Sequence, residues 1–185
     1  KNRQAREGVD AYTLYSRNKD KQINMNMNVE IKDMPEMTVA YIRHIGPYKG
    51  DENLFCSLYG RLFEWAGKNN MIGSEPKLLA IYHDDPNITD EGKLRTDICM
   101  VVPQDTEVTG EVGKQVVAGG KYAVINFKVK EPADYEKAWT SVYRDWLPES
   151  GYEVDNRSPY ELSLSGPQGN SEGFCEIAVC IPIKG

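Results

Sequence analysis

Two early runs of the chain, 29–32 and 37–45, alternate apolar and polar side chains and are separated by Met34-Pro35-Glu36. A period of two marks an extended strand with unlike faces. Val39, Tyr41 and Arg43 are therefore expected on one side of the second strand, with Ala40, Ile42 and His44 on the other. Gly46-Pro47 stops it. The period then lengthens, because Leu54, Leu58, Leu62 and Trp65 recur at helical spacing with Phe55 and Tyr59 beside them, which predicts a helix over 53–70. Past Gly73, the apolar run 77–83 predicts a further strand and Asp84-Asp85-Pro86-Asn87 a polar loop. The run from Leu94 to Pro103 predicts a strand closed by a residue that cannot continue a ladder, with Asp97 planted inside it.

The second half repeats this order. An extended run from Thr106 to Val117 and a strand over 121–129 lead to Pro132-Ala133-Asp134, which opens a second helix: proline is tolerated at a first helical position and an acid suits the positive helix end. Tyr135, Ala138, Trp139, Val142, Tyr143 and Trp146 form its apolar stripe, and Leu147-Pro148 is expected to end it. A strand over 160–164, a Gly-rich hairpin loop over 165–173 and a last strand from Phe174 to Pro182 complete the chain. The last strand aligns with Leu94 to Pro103, Glu176 under Asp97 and Pro182 under Pro103. The expected architecture is α+β, one βαββ unit used twice over about 27–104 and 105–185, with pseudo-twofold symmetry and a ligand cleft where the halves meet. Residues 1–26 are polar and mixed and read as a linker ahead of a single domain over 27–185.

Bulk properties narrow the function. With 185 residues, 40% hydrophobic and 27% charged, the chain can bury a core of its own. Its net charge of -6 offers no basic footprint, which argues against this chain itself gripping nucleic acid. No apolar run is long enough for a membrane span and no signal core opens the chain, so a cytoplasmic location is expected. Three of the four cysteines, Cys99, Cys175 and Cys180, sit in strand patterns without metal-ligand spacing; they and Cys56 are expected to be reduced. Gly110-Glu111-Val112-Gly113-Lys114 lacks the glycines and hydroxyl of a phosphate loop, and His44 and His83 lack ligand spacing, so neither a cofactor nor a metal is expected.

Carboxylates and aromatics remain. Glu176 shares a strand side with Ala178 and Cys180, where an ionised carboxylate is costly unless paired. Either it contacts a cationic, aromatic or hydroxyl-bearing ligand, or it is solvated or paired with a lysine or arginine. For Asp97, a local ion pair with Arg95, two residues away on the same strand side, is expected ahead of ligand contact. Trp139 and Trp146 lie seven apart on one helical side and can border the cleft; Tyr41 and Tyr122 occupy matching strands, and Tyr82 and Tyr160 the next pair. Glu176 and these six aromatics form the expected ligand-binding set. No catalytic residue is assigned.

The segments Val39-Ala40-Tyr41-Ile42-Arg43-His44-Ile45-Gly46-Pro47-Tyr48, Arg95-Thr96-Asp97-Ile98-Cys99, Tyr143-Arg144-Asp145-Trp146-Leu147-Pro148-Glu149-Ser150-Gly151-Tyr152 and Glu176 to Ile183 resemble, in that order, the GyrI-like small-molecule-binding domain. This effector-binding domain occurs alone or attached to helix-turn-helix regulators of the AraC and MerR types. The resemblance covers about Met27 to Ile183. It implies a concave antiparallel sheet with two helices on one side, and a groove that takes amphipathic or cationic aromatic molecules between aromatic walls and a central glutamate, matched by position to Glu176. The leading segment resembles the connector that follows an AraC-type DNA-binding domain, so DNA would be met only through a helix-turn-helix domain outside this chain. The partners implied are a small-molecule ligand and no membrane; the oligomeric state is left open. Two rivals stand beside sensing: hydrolysis of a small electrophile by Glu176 with Tyr122 or Tyr160, and modulation of a topoisomerase through an acidic surface.

Overall fold

The alternating runs pair antiparallel throughout. The computed structural model describes residues 27–73, 76–165 and 173–185. Strands β1 (Val29–Met34), β2 (Met37–Ile45), β3 (Leu78–Tyr82), β4 (Arg95–Val101), β5 (Gly113–Val117), β6 (Gly120–Val129), β7 (Tyr160–Ser163) and β8 (Cys175–Pro182) make one sheet in the order β1-β6-β8-β7-β3-β4-β2-β5. Helix α1 (Glu52–Lys68) joins β2 to β3; helix α2 (Pro132–Ser141) follows β6 and runs through a π-helical turn (Val142–Trp146) into α3 (Leu147–Ser150). The extended run expected from Thr106 is shorter than read, with β5 starting at Gly113. The expected linker over 1–26 and most of the expected hairpin loop over 165–173 lie outside the described residues. Among the described residues no helix is long and apolar enough to cross a membrane.

Strand order and chain connectivity together force the sheet to curl. β1 and β2 stand six places apart in the sheet, yet only Pro35 and Glu36 join them; β5 and β6 are equally far apart and joined by Ala118 and Gly119. In a flat sheet six steps would measure about 29 Å, whereas three peptide links reach at most about 11 Å. The sheet therefore bends until both links can close. They cross in contact: a Cβ placed on Gly119 would stand 2.6 Å from the Glu36 amide nitrogen and 2.8 Å from the Met34 carbonyl oxygen.

The curl divides the apolar residues between two sides. Both helices pack on the outer side. The α1 stripe of Leu58, Leu62, Trp65 and Ala66 covers Ala40, Ile42, Ile98 and Met100, while Ala138 and Val142 of the second helix cover β6 and β8 around Ile125, Val179 and Ile181. The inner side carries Val39, Leu79, Ile81, Cys99, Tyr122 and Tyr160, buried by the sheet closing on itself. Each helix is started by an acid: Asp51 Oδ1 accepts the Leu54 amide at 2.9 Å, and Asp134 Oδ2 accepts those of Lys130 and Glu131 at 3.0 and 3.1 Å.

The second helix does not end at Leu147-Pro148. Pro148 has no amide hydrogen, and in an α-helix its ring would press on the carbonyl four residues back. Here the preceding turn is widened, the Leu147 amide bonding the Val142 carbonyl five residues back, and the helix continues to Ser150 before Gly151 leaves it at φ 72°.

Two glycine-to-alanine substitutions are expected to act in opposite directions. Gly119→Ala forces a methyl into the backbone of the other link and should destabilise by about 1–3 kcal/mol. At Gly60, on the exposed side of α1, an added Cβ meets nothing within 4 Å, so Gly60→Ala should stabilise by about 0.5–1 kcal/mol. Chemical denaturation of both variants measures the two signs.

Candidate ligand-binding groove

Because α1 covers β2 and β4 while the second helix covers β6 and β8, the central strands β3 and β7 lie between the helices as the floor of a groove. Ala80 and Glu161 face each other across that floor. Aromatic side chains converge on it from three directions: Phe55 and Tyr59 from α1, Tyr135, Trp139 and Tyr143 from the second helix, and Tyr48 and Tyr82 from the β2–α1 connection and the floor. Five rings form a continuous chain from one helix to the other. Phe55 to Tyr48 is 6.4 Å between centroids, Tyr48 to Tyr82 5.4 Å, Tyr82 to Trp139 5.1 Å and Trp139 to Tyr143 6.2 Å, the last pair stacked at 15°.

Glu161 sits under these rings with one hydrogen-bond donor among the described residues, Trp139 Nε1 at 3.0 Å from Oε2. Among the described residues no lysine, arginine or histidine forms an ion pair with it. Burial pushes its carboxyl up to about 7, against the opposing hydrogen bond from Trp139. Burial, and behind it the charge of Glu161, also raises the hydroxyl pKa of Tyr59, Tyr82 and Tyr135, so all three remain O–H donors at neutral pH. Tyr143 is pushed up to about 12 by burial and by Asp85, which extends the negative field to the groove mouth. The result is an acid held without a cation under faces that attract one.

The sheet splits the residues read from sequence into two groups. Tyr82 and Trp139 belong to the groove. Trp146 lies on the helix side but stacks on Tyr152 at 6.2 Å, away from the five-ring chain. Tyr41, Tyr122, Tyr160 and Glu176 are on the inner side of the curl. There Tyr122 and Tyr160 are fully buried, 5.3 Å apart. Tyr41 lies over Gly113, where a Cβ would come within 2.5 Å of its ring.

Glu176 is not enclosed by the groove: it takes the solvated, lysine-paired alternative, its side chain 43% exposed with Lys128 Nζ 3.9 Å away. Nor does it meet a tyrosine hydroxyl, for Tyr160 pairs with Cys180 and Tyr122 with Pro182, four and six residues along β8, a displacement of about 13–20 Å. The ion pair expected between Asp97 and Arg95 is corrected. Arg95 is held by Asp84, Nη2 to Oδ1 at 2.7 Å, whereas Asp97 receives Arg43 from the opposite position on β2, with Nε to Oδ1 and Nη2 to Oδ2 both 2.7 Å. His83 Nε2 and Gln115 Nε2 each stand 2.7 Å from Asp97 Oδ2. These hydrogen bonds outweigh its burial and hold the carboxyl at about 2.

Glu161 was the principal omission. Its signal was an acid one residue from Tyr160 in a short apolar strand, and period-two alternation already put the two on opposite sides. Tyr135, Trp139 and Tyr143 were legible as an i, i+4, i+8 stripe, but only the packing of the second helix shows that this stripe faces the groove rather than the core.

Comparison with known proteins identifies the family and the fold. A family model described as a GyrI-like small molecule binding domain matches residues 27–184. A DNA gyrase inhibitor from Yersinia enterocolitica is 32% identical over 158 residues, covering 80% of this chain and 92% of that protein. Among solved structures, EcmrR in its DNA complex superposes with a TM-score of 0.68 at 20% identity, covering 94% of this chain and 63% of that one. SAV2435 bound to tetraphenylphosphonium superposes with a TM-score of 0.58 at 14% identity, covering 86% and 95%. The two structures share the fold, and the family model and the relative place the chain: it belongs to the GyrI-like small molecule binding domains.

Proposed function

We propose that this domain is an effector sensor that binds a cationic aromatic molecule in the groove between α1 and the second helix, in the cytoplasm, and passes its occupancy to a DNA-binding domain of a transcriptional regulator. The observation that carries the ligand class is Glu161, an acid whose only hydrogen-bond partner among the described residues is an indole N–H, beneath a chain of five aromatic rings. Such an acid is costly to ionise where it stands, and a bound cation removes that cost. The rings touch across the groove, so the ligand is admitted by parting Tyr48, Tyr82, Trp139 and Tyr143 and then stacks against them.

A duplicated βαββ unit with a pseudo-twofold axis supports the same reading. The sheet order is matched about its centre, β7 with β3, β8 with β4, β6 with β2 and β1 with β5, and Leu79 pairs with Leu162 at the middle. A ligand on that axis touches both halves, so its binding can shift one half against the other. Such coupling requires two states with different affinity for the ligand. Tyr143 lies within the π-helical turn and Trp139 just before it, which makes that turn the element moved by occupancy.

A second reading rests on the gyrase inhibitor that matches nearly along its whole length: the domain acts on a topoisomerase through its surface. A supercoiling assay with purified gyrase separates the two. Sensing predicts unchanged supercoiling at equimolar chain, whereas inhibition that survives Glu161→Gln favours the second reading.

Two outcomes are expected of Glu161. Titration of the tryptophan fluorescence with tetraphenylphosphonium should show saturable quenching, with affinity rising about tenfold from pH 5.5 to 8 as the acid gives up its proton. Glu161→Gln should abolish that rise and weaken binding about tenfold at pH 8. A pH-independent affinity in the unsubstituted protein would count against the role of Glu161. In the free protein the folded carboxyl, at about 7, lies above its ordinary 4.5, so the unfolded chain loses this proton first. Stability contributed by this group therefore falls as pH rises from about 4.5 to about 7. Urea unfolding across that window should show a decline that Glu161→Gln flattens.

A further inference from the structure

On the other side of the sheet a cavity of about 160 Å³ opens at the mouth of the curl, lined by Ile81, His83, Gln115, Tyr122, Arg157 and Ser158, among others. Three of its neighbouring groups fall in line. Ser158 Oγ is 3.4 Å from His83 Nδ1, and His83 Nε2 is 2.7 Å from Asp97 Oδ2. When Nε2–H donates to Asp97, Nδ1 presents its lone pair to the serine hydroxyl. That is the order of groups that activates a serine: hydroxyl, imidazole, buried carboxylate.

Each member is held from outside the line. Asp97, 0% exposed, is fixed by Arg43 and Gln115. The His83 amide is bonded to the Arg95 carbonyl at 3.1 Å. Ser158 is carried by a segment anchored on one side by Arg157, whose guanidinium donates to the carbonyls of Gly119, Lys121 and Ile183 at 2.9, 2.9 and 3.3 Å, and on the other by the Pro159 carbonyl, which accepts the Tyr82 amide at 3.3 Å. Arg157 lines the same cavity as Ser158, with its guanidinium held in place by Asp155, whose Oδ2 accepts Nε at 2.7 Å, as well as by those carbonyls. None of these groups belongs to the proposed groove, and a structural role for the Arg43–Asp97 pair does not require Ser158.

We propose that Ser158, His83 and Asp97 form a second, catalytic site inside the curl, taking small acyl esters with an acyl group of a few carbons, as the cavity volume allows. Ser158 Oγ attacks the acyl carbon while its proton passes to His83 Nδ1. The ester C–O bond breaks, and the departing alkoxide takes that proton and leaves as the alcohol. Water then attacks the acyl-serine, giving a proton to His83. The serine oxygen leaves the acyl carbon and recovers that proton, and a carboxylic acid is released. Asp97 remains ionised throughout and holds the imidazole; Arg43 shares that carboxylate and moderates its effect, so turnover is expected to be slow.

The test uses the whole chain with p-nitrophenyl acetate. Acid-quenched samples should carry one acetyl group, located on Ser158 by peptide mass spectrometry, and Ser158→Ala should lower the turnover rate by at least about 100-fold. The same Ser158→Ala sample should bind tetraphenylphosphonium like the unsubstituted protein if the groove reading also holds, which shows that the variant is folded. His83→Gln should give a similar loss of turnover without acetylation. Turnover no faster than buffer, acetylation elsewhere, or equal turnover by Ser158→Ala overturns the proposal and leaves the groove reading untouched.

Discussion

Two links of two residues each, Pro35-Glu36 and Ala118-Gly119, join strands that a flat sheet would hold about 29 Å apart. Everything else follows from the curl they impose. The inner surface becomes buried without any helix to cover it, which is why Tyr122 and Tyr160 are inaccessible although they face away from both helices. The outer surface must then be covered by α1 and the second helix, and the two cover the flanks while leaving the strip over β3 and β7 to aromatic side chains. Gly119 makes the crossing possible, since any side chain there would meet backbone rather than a movable group.

The two surfaces handle their acids in contrasting ways. Asp97 is buried with Arg43, His83 and Gln115 around it and is stabilised as an anion at its own position. Among the described residues Glu161 has one neutral donor, and burial pushes its carboxyl up to about 7. The first arrangement stiffens three strands; the second stores an unfavourable ionisation that a ligand can relieve. A fold with both can keep a rigid sheet beneath an adaptable groove.

Much of the architecture was legible because periodicity depends only on residue order. The strands, the Leu54 to Trp65 stripe of α1 and the helix opening at Pro132 follow from spacing alone. Asp97 and Glu176, aligned in sequence, both lie on the inner side. Their environments were not legible. Whether an acid meets Arg95 on its own strand or Arg43 across the ladder depends on register, and whether it is buried depends on how far along the strand the sheet closes. The same limit explains Glu161: alternation assigns it the side opposite Tyr160, but only the positions of the helices tell which side holds the groove. The continuation of the second helix past Pro148 was masked because a local rule, proline as a stop, was overridden by one widened turn.

The central claim is that the ligand sits on the helix side, over Glu161, and a crystal structure of the chain with tetraphenylphosphonium bound tests it most directly. The account predicts the cation between α1 and the second helix, its phenyl rings against Tyr82 and Trp139, and the Glu161 carboxylate as its nearest charged group. A cation found inside the curl against Tyr122 and Tyr160, or resting on Glu176, would contradict it.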